Sequence, residues 1–449
     1  MIKQKNFFDG FSASLCRINA RFLVILVLFG PEMISRADNW PAWRGPEGTG
    51  VSRETNLPLS WSEEANQGIV WKTAIPEWGN STPVIWENAL FITTQAEDRL
   101  LVLRLDKTTG KIVWTRQVGT AETPENKPRG EQKFHRLNNN ASPSVVTDGE
   151  HVVAHFGNGD LAVFTFDGEL LWKRNLQADY GKYTIWWGHA NSPVIVDGLV
   201  VSVCMQDSLA DLQDKPHPSY VVAHDLKTGK EVWYTPRMTG AMRESCDAYT
   251  TPLVRRLPDR TEIVVMGAEQ LDAYDARTGK QIWYLPGLTG NRTITGPTIE
   301  NDIVFATIGM RGATFAAKIG GEGRLPPERI LWRYEGNNPD SPSPVYSHGL
   351  LFLAADNGIV QCLDAKTGEL KWRERLGREF KASPLAAEDR IYFLDTSGRC
   401  TVVRAAPTFE VLSVNEVKDR SIASPAVSDG HIFIRGRQFV YCIGRPFTR

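Results

Sequence analysis

One pattern recurs along the chain and constrains its fold more than any other feature. It reads Asp106-Lys-Thr-Thr-Gly110-Lys-Ile-Val-Trp114 and returns at Asp225–Trp233, Asp275–Trp283 and Asp364–Trp372. A shortened copy, Asp167-Gly168-Glu-Leu-Leu-Trp172, keeps the turn and the tryptophan, and Leu331-Trp332 keeps only the strand. An aspartate side chain can accept from nearby backbone N–H groups, and glycine supplies the positive φ that closes a tight hairpin. The flanking residues are rich in Val, Ile, Leu and aromatics, as strands are. Recurrence argues against metal-ligand or catalytic roles for these aspartates, because chemistry would need such a group once.

A second series is independent of the first. A small residue followed by proline opens a strand at Pro83, Pro143, Pro193, Pro252, Pro297, Pro344, Pro384 and Pro425. The eighth unit stops soon after Phe439–Ile443 and lacks its final strand. Gly68-Ile-Val-Trp71-Lys-Thr73, near the other end, can supply it. Pairing the two would close a ring and leave no open sheet edge. The expectation is an all-β, eight-bladed β-propeller of four-stranded blades over 68–445, closed by N- and C-terminal strands and preceded by a lead-in segment, 38–67.

The first residues read as a targeting segment. Lys3, Lys5, Arg17 and Arg21 precede an apolar run from Phe22 to Phe29, too short for a membrane span, and Ser35-Arg36-Ala37 offers a cleavage site. Residues 1–37 are therefore expected to be a signal peptide, and the protein to be periplasmic or secreted. Cys16 precedes the apolar run, so it cannot be a lipoprotein's acylated cysteine. Setting aside the five basic and two acidic groups of 1–37 leaves 46 against 50, a net charge of −4. No lysine–arginine run supports a nucleic-acid partner, and no later stretch is apolar enough to span a membrane. The other five cysteines form no C-x-x-C and read as small buried hydrophobes.

At its Asp-x-x-Thr-Gly-Lys-x-x-Trp repeats the sequence resembles the PQQ-like repeat propellers of the quinoprotein alcohol dehydrogenase superfamily, BamB-type propellers included. Asn39-Trp-Pro-Ala-Trp-Arg-Gly-Pro-Glu-Gly-Thr-Gly50 is similar to the opening of bacterial exported proteins with these repeats. The resemblance implies that Trp71, Trp114, Trp172, Trp233, Trp283, Trp332 and Trp372 dock neighbouring blades. It also implies a small residue two positions before each Asp. Ala223, Ala273 and Cys362 suit that position; Arg104 departs from it, which counts against docking in the first blade.

Strand direction places the long excursions 118–141, 173–190, 204–220 and 234–250 on one face, opposite the Asp-Gly hairpins, and only 319–328 on the other. Loops of this length usually carry function. The residues before each opening are expected to ring the channel mouth: Trp78, Asn80, Asn138, Asn139, Asn140, Trp187, His189, Asn191, Asp247, Tyr249, Arg292, Asp340, Lys381 and Arg420. Mixed aromatic, amide and cationic groups suit an anionic or sugar-like ligand. A lone histidine such as His189 more often satisfies a hydrogen bond than acts as a base.

Two functions follow. The first is a non-catalytic, monomeric binding or scaffold protein that takes a protein, peptide or carbohydrate on its loop-rich face. The second is an oxidoreductase using PQQ with calcium. Against the second stand the chain's short length for that class, the lack of an adjacent Cys-Cys pair, and calcium ligands that match no motif, although Glu244, Asp247 and Asn191 are available. H-E-x-x-H, G-x-S-x-G and P-loop signatures are absent. A bare channel would favour the first function; acidic and amide groups around a cavity with an aromatic floor would favour the second.

Overall fold

The computed structural model describes residues 39–122, 125–126, 130–131, 134–208, 218–310 and 312–447. The expected signal segment and Cys16 lie outside them, as does part of the excursions 118–141 and 204–220. Among the described residues no helix is long and apolar enough to cross a membrane.

Eight antiparallel sheets form an eight-bladed propeller. In blade 1 the strands are Val84–Trp86, Ala89–Ala96, Arg99–Asp106 and Ile112–Thr120, from the channel outward. Blades 2 to 7 repeat this order along the chain. Blade 8 takes Ala426–Ser428, His431–Arg435 and Phe439–Ile443 from the C-terminal end, and its outer strand, Ile69–Ala74, from the N-terminal side. Trp71 lies opposite Cys442 and Thr73 opposite Val440. The ring thus closes through backbone hydrogen bonds between the two ends of the repeat region.

The Asp-Gly turns are hairpins with a fixed internal chemistry. Asp225 Oδ1 accepts from the Thr228 amide (2.8 Å) and hydroxyl (2.7 Å), and Asp275 holds Thr278 at the same distances. The Thr228 hydroxyl and amide hold the Asp225 carboxyl below the usual range. These aspartates are spent on turns.

Tryptophan docking follows from the same turns. Trp71, Trp172, Trp233, Trp332 and Trp372 donate their indole N–H to the carbonyls of Lys107, Leu226, Ala276, Ala365 and Ala406 in the next blade, at 2.8–3.0 Å. Trp114 reaches Phe166 O at 3.3 Å. The following turn's glycine lies against the ring. A Cβ on Gly229 would stand 2.6 Å from Trp172, and one on Gly279 2.5 Å from Trp233. Glycine is thus needed twice there, for φ near +70° and for the contact.

Two blades depart from the pattern. Arg104 does not prevent docking in blade 1. Its guanidinium crosses to blade 2, donating to Phe166 O (3.2 Å) and Asp167 (3.1 Å) while resting on the Phe166 ring. Trp283 has no Asp-Gly turn to meet in blade 5, and its indole donates within its own blade to Glu262 (3.2 Å). The 319–328 excursion instead adds Gly323–Arg324 as a parallel strand beside Gln281–Pro286. Cys204, Cys246, Cys362, Cys400 and Cys442 are buried, unpaired thiols.

Residues 39–67 run beneath the ring, on the side of the hairpins that join the first two strands of each blade. Trp40 pairs with Ile85 of blade 1, and Pro41 O accepts from Thr147 of blade 2. Val51 pairs in parallel with Ala386 of blade 7, and the Glu54 carboxylate accepts from the amides of Asp429 and Gly430 in blade 8. Arg44, only 1% exposed, donates to Thr49 O (2.6 Å), Thr298 Oγ1 (3.1 Å) and Pro344 O. The lead-in therefore closes the channel from below.

Candidate functional site

Above that closure the channel is a cup of about 450 Å³, open on the loop-rich face. Each blade contributes the residue two positions before the small residue at its strand opening. These are Asn80, Ser142, Ala190, Tyr249, Ile294, Ser341, Lys381 and Ile422. The second blade sets the register. Its inner strand starts at Val146, so Ser144 rather than Ser142 is the counterpart of Thr82 and Ser192. Pro143 therefore stands two residues ahead of the other opening prolines.

Below this ring the small residues form a belt. The N–H of Thr82 donates to Ser144 Oγ (2.9 Å), Ser144 to Ser192 (2.9 Å), and Ser192 to Thr251 (3.2 Å). Gly296, Ser343 and Ser383 continue it to Ser343, Ser383 and Ser424 at 2.8–3.0 Å. The hydroxyls of Ser144, Ser192, Thr251, Ser343, Ser383 and Ser424 thus satisfy buried amides that have no ladder partner at a strand start. The belt is interrupted at the seam from Ser424 to Thr82, whose hydroxyl is buried without a partner among the described residues, and again after Thr251, where blade 5 has Gly296. A Cβ there would stand 2.8 Å from the Trp43 ring. Trp43, from the lead-in, fills that gap as the aromatic floor of the cup.

The wall is polar and mostly engaged. Arg292 bridges Glu244 (3.2 Å) and Asp340 (2.9 Å), and Glu244 also accepts from the Trp187 indole (3.2 Å). Burial pushes the Asp340 carboxyl up, while Arg292 acts the other way. Lys381 pairs with Asp356 at 2.6 Å, and Asp356 also accepts from the Ser341 hydroxyl (2.6 Å). Asn80 donates to Leu137 O (2.6 Å), and Asn138 to Trp187 O (2.8 Å). His135 sits edge-on to Trp187, with ring centroids 5.9 Å apart. Burial lowers its proton affinity, and Lys381, Arg136 and Arg292 lower it further.

The residues expected at the mouth divide accordingly. Asn80, Asn138, Trp187, Tyr249, Arg292, Asp340 and Lys381 line the cup, and Trp78 and Arg420 line a smaller depression beside it. His189 and Asn191 do not reach it. In the segment that leads into the strand Val194–Val196, Ala190 and Ser192 face the cup while the side chains of 189 and 191 are buried in the blade. His189 donates from Nε2 to Val203 O (3.1 Å), packs on Tyr183 and His155, and is held by burial near a pKa of about 4. Asn191 donates to Ala248 O and Thr250 O. Asp247, fully buried, accepts from the Trp186 amide (2.9 Å), and Asn139 is held by Trp78 O (2.9 Å). Asn140 is buried at the base of its loop. Counting two residues back from each strand opening would have found Ser341, Ile294 and Ile422, whereas Ser142 depends on the second blade's register. Trp43 and His135 had no such signal, since their positions depend on long-range packing.

The fold and its channel cup define the class: an eight-bladed β-propeller of PQQ-like repeats. The chain belongs to the family whose model is described as outer membrane protein assembly factor BamB, which matches residues 46–213, 217–342 and 326–408. Among solved structures, BamB from Moraxella catarrhalis is 14% identical and superposes with a TM-score of 0.57, covering 85% of this chain and 98% of its own. The quinohemoprotein alcohol dehydrogenase of Comamonas testosteroni is 13% identical, with a TM-score of 0.61 over 92% of this chain and 81% of its own. A europium-containing methanol dehydrogenase is 13% identical, with a TM-score of 0.59 over 88% and 89%. At such identities these likenesses speak for the fold alone. No curated protein matches the sequence.

Proposed function

We propose that this is an exported, non-catalytic binding propeller that holds a protein segment, peptide or carbohydrate at its loop-rich face. The observation that carries the reading is the closed cup. One side chain per blade lines it, the lead-in seals it below, and its carboxylates are already engaged by Arg292 and Lys381. A cup of this size accepts a chain end or a sugar unit, with Trp187, Tyr249 and Trp43 for apolar contact and Asn80, Asn138 and Ser341 for hydrogen bonds. Export rests on the basic and apolar character of residues 1–37. The likeness to BamB adds a precedent for a protein partner.

The aromatic floor supports a second reading, PQQ-dependent oxidation, since a planar cofactor could rest on Trp43 between Arg292 and Lys381. Calcium does not fit the residues available for it. Among the described residues, Asn191 and Asp247 each commit one polar atom to backbone groups and bury an oxygen without a partner, but Glu244 is held by Trp187 and Arg292, and no three His, Cys, Asp or Glu side chains converge. Calorimetric titration with PQQ and calcium, beside a dye-linked alcohol oxidation assay, separates the readings. Neither saturable binding nor turnover is expected; micromolar binding with turnover would overturn the scaffold reading. A photocrosslinking residue at position 137 should then capture the partner, whereas one at the outer-strand position 113 should not.

A further inference from the structure

Beside the cup, where blade 8 meets blade 1, lies a depression of about 30 Å³. Arg136, Arg420, Arg435 and Arg437 all line it, together with Trp78 and Gly79, and no carboxylate does among the described residues. Arg435 is the decisive member. It ends the strand His431–Arg435 and is only 1% exposed. One terminal nitrogen donates to Ser81 O (3.1 Å) and the Ser81 hydroxyl. Its Nε and other terminal nitrogen are buried with no partner among the described residues. Burial lowers its pKa to about 9, and at neutral pH it remains a cation. An unpaired buried charge with orphaned N–H groups is strongly unfavourable unless an anion joins it.

The surroundings point the same way. Gly79 leaves the room that the guanidinium occupies, since a Cβ there would stand 2.8 Å from Arg435. Arg437 lies over the Trp78 ring, 5.2 Å from its centroid, and its amide is fixed to Arg420 O (2.8 Å). The acid paired with Arg420, Glu379, stands at 3.9 Å and is shared with Lys381. Asn80, Leu137 and Ile422 line both the depression and the cup, so the two communicate.

We propose that this depression is an oxyanion site, built around Arg435 and rimmed by Arg136, Arg420 and Arg437, that takes a carboxylate, phosphate or sulfate group. Its small volume admits one such group, with anything attached to it extending toward the cup. The source is either a free inorganic oxyanion or the acidic end of a larger molecule. The inference goes beyond the reading of the cup: a neutral cup ligand would leave it standing, and an anion bound without any partner would not establish the scaffold role.

The test titrates the full chain with inorganic phosphate and, separately, with galacturonate at constant ionic strength. Intrinsic tryptophan emission, to which Trp78 in the depression contributes, and thermal unfolding are the readouts. Saturable binding is expected, weakened roughly tenfold in Arg420→Gln/Arg437→Gln, as for loss of charge-assisted hydrogen bonds. Both substitutions are at exposed positions, so the unliganded melting temperature should stay unchanged. Arg435→Gln should abolish binding; if it fails to fold, the rim variant still decides. Phosphate and galacturonate binding alike identifies a free-oxyanion site, and galacturonate alone identifies the acidic end of a larger ligand. No saturation with either probe, or equal affinity in the rim variant, would overturn the proposal.

Discussion

The pairing of turn glycine and tryptophan can be tested by two alanine substitutions that differ in one respect. Gly279 and Gly287 both have positive φ, +70° and +80°. A Cβ on Gly279 would stand 2.5 Å from Trp233 Cε3 and 2.8 Å from Thr235 Oγ1, whereas one on Gly287 meets nothing within 4 Å. Gly287→Ala should therefore cost only the left-handed backbone penalty, about 1–2 kcal/mol. Gly279→Ala adds displacement of a ring that is 7% exposed and hydrogen-bonded to Ala276 O. Overpacking of that kind costs about 1–3 kcal/mol, so the total is roughly 2–5 kcal/mol. Urea unfolding followed by far-ultraviolet circular dichroism measures both. In a Trp233→Ala background the ring is gone, and Gly279→Ala should fall back to the backbone penalty alone. If the two glycine variants differ by less than about 0.5 kcal/mol, or the gap survives without Trp233, then docking is not what requires glycine at 279.

Three further outcomes follow from other parts of the molecule. Gly296→Ser would restore the missing hydroxyl of the belt but drive its Cβ into Trp43; limited proteolysis should then cut the lead-in faster, and unchanged cleavage would refute the wedge. His189 and His224, buried and held near a pKa of about 4, bind protons more weakly folded than unfolded. Stability should accordingly fall as pH drops from about 6.5 toward 4, by up to roughly 3 kcal/mol per histidine; urea midpoints across that range should flatten in His189→Gln. Asp247 has the opposite sign, since burial raises its pKa and its contribution is lost as pH rises. Asp247→Asn should stabilise the protein more at pH 8 than at pH 5, and an equal effect at both would refute a raised pKa.

The ring was legible because its units carry their own local chemistry. Asp, Thr and Gly fix a hairpin within five residues, and the glycine's second role, against the preceding tryptophan, repeats with it. Closure by Gly68–Thr73 was legible for a related reason: a blade short of one strand and a strand short of a blade stand at the two ends of the repeat. The second blade's register was not, because Ser142-Pro143-Ser144 offers two small residues and only the strand start at Val146 chooses between them. His189 and Asn191 were placed at the mouth by sequence proximity, while hydrogen bonds to Val203 O, Ala248 O and Thr250 O hold them inward. Arg104 shows a different limit. Its place under the tryptophan was read as an obstacle, but a long cation can leave that space and bind the next blade instead.

What makes this propeller a candidate receptor is the way an almost eight-fold ring is made unsymmetrical. Seven blades carry a hydroxyl at the belt position, and an uninterrupted belt around an open channel would present the same surface in every direction. Gly296 removes one hydroxyl, and Trp43 enters the space left. Arg44 anchors the same segment by donating to Thr298 Oγ1 and Pro344 O in blades 5 and 6, the latter the next blade in order. The channel thereby gains a floor on one side, and above it the charges are also one-sided. Arg292, Lys381 and their acids are spread over blades 4 to 7, one half of the ring, and the guanidinium of Arg435 lies at the closure seam between blades 8 and 1. A ligand in the cup would therefore meet an unsymmetrical sequence of neighbours around the ring, and could bind in one orientation. That directional wall, rather than the ring itself, is the feature on which any selectivity must rest.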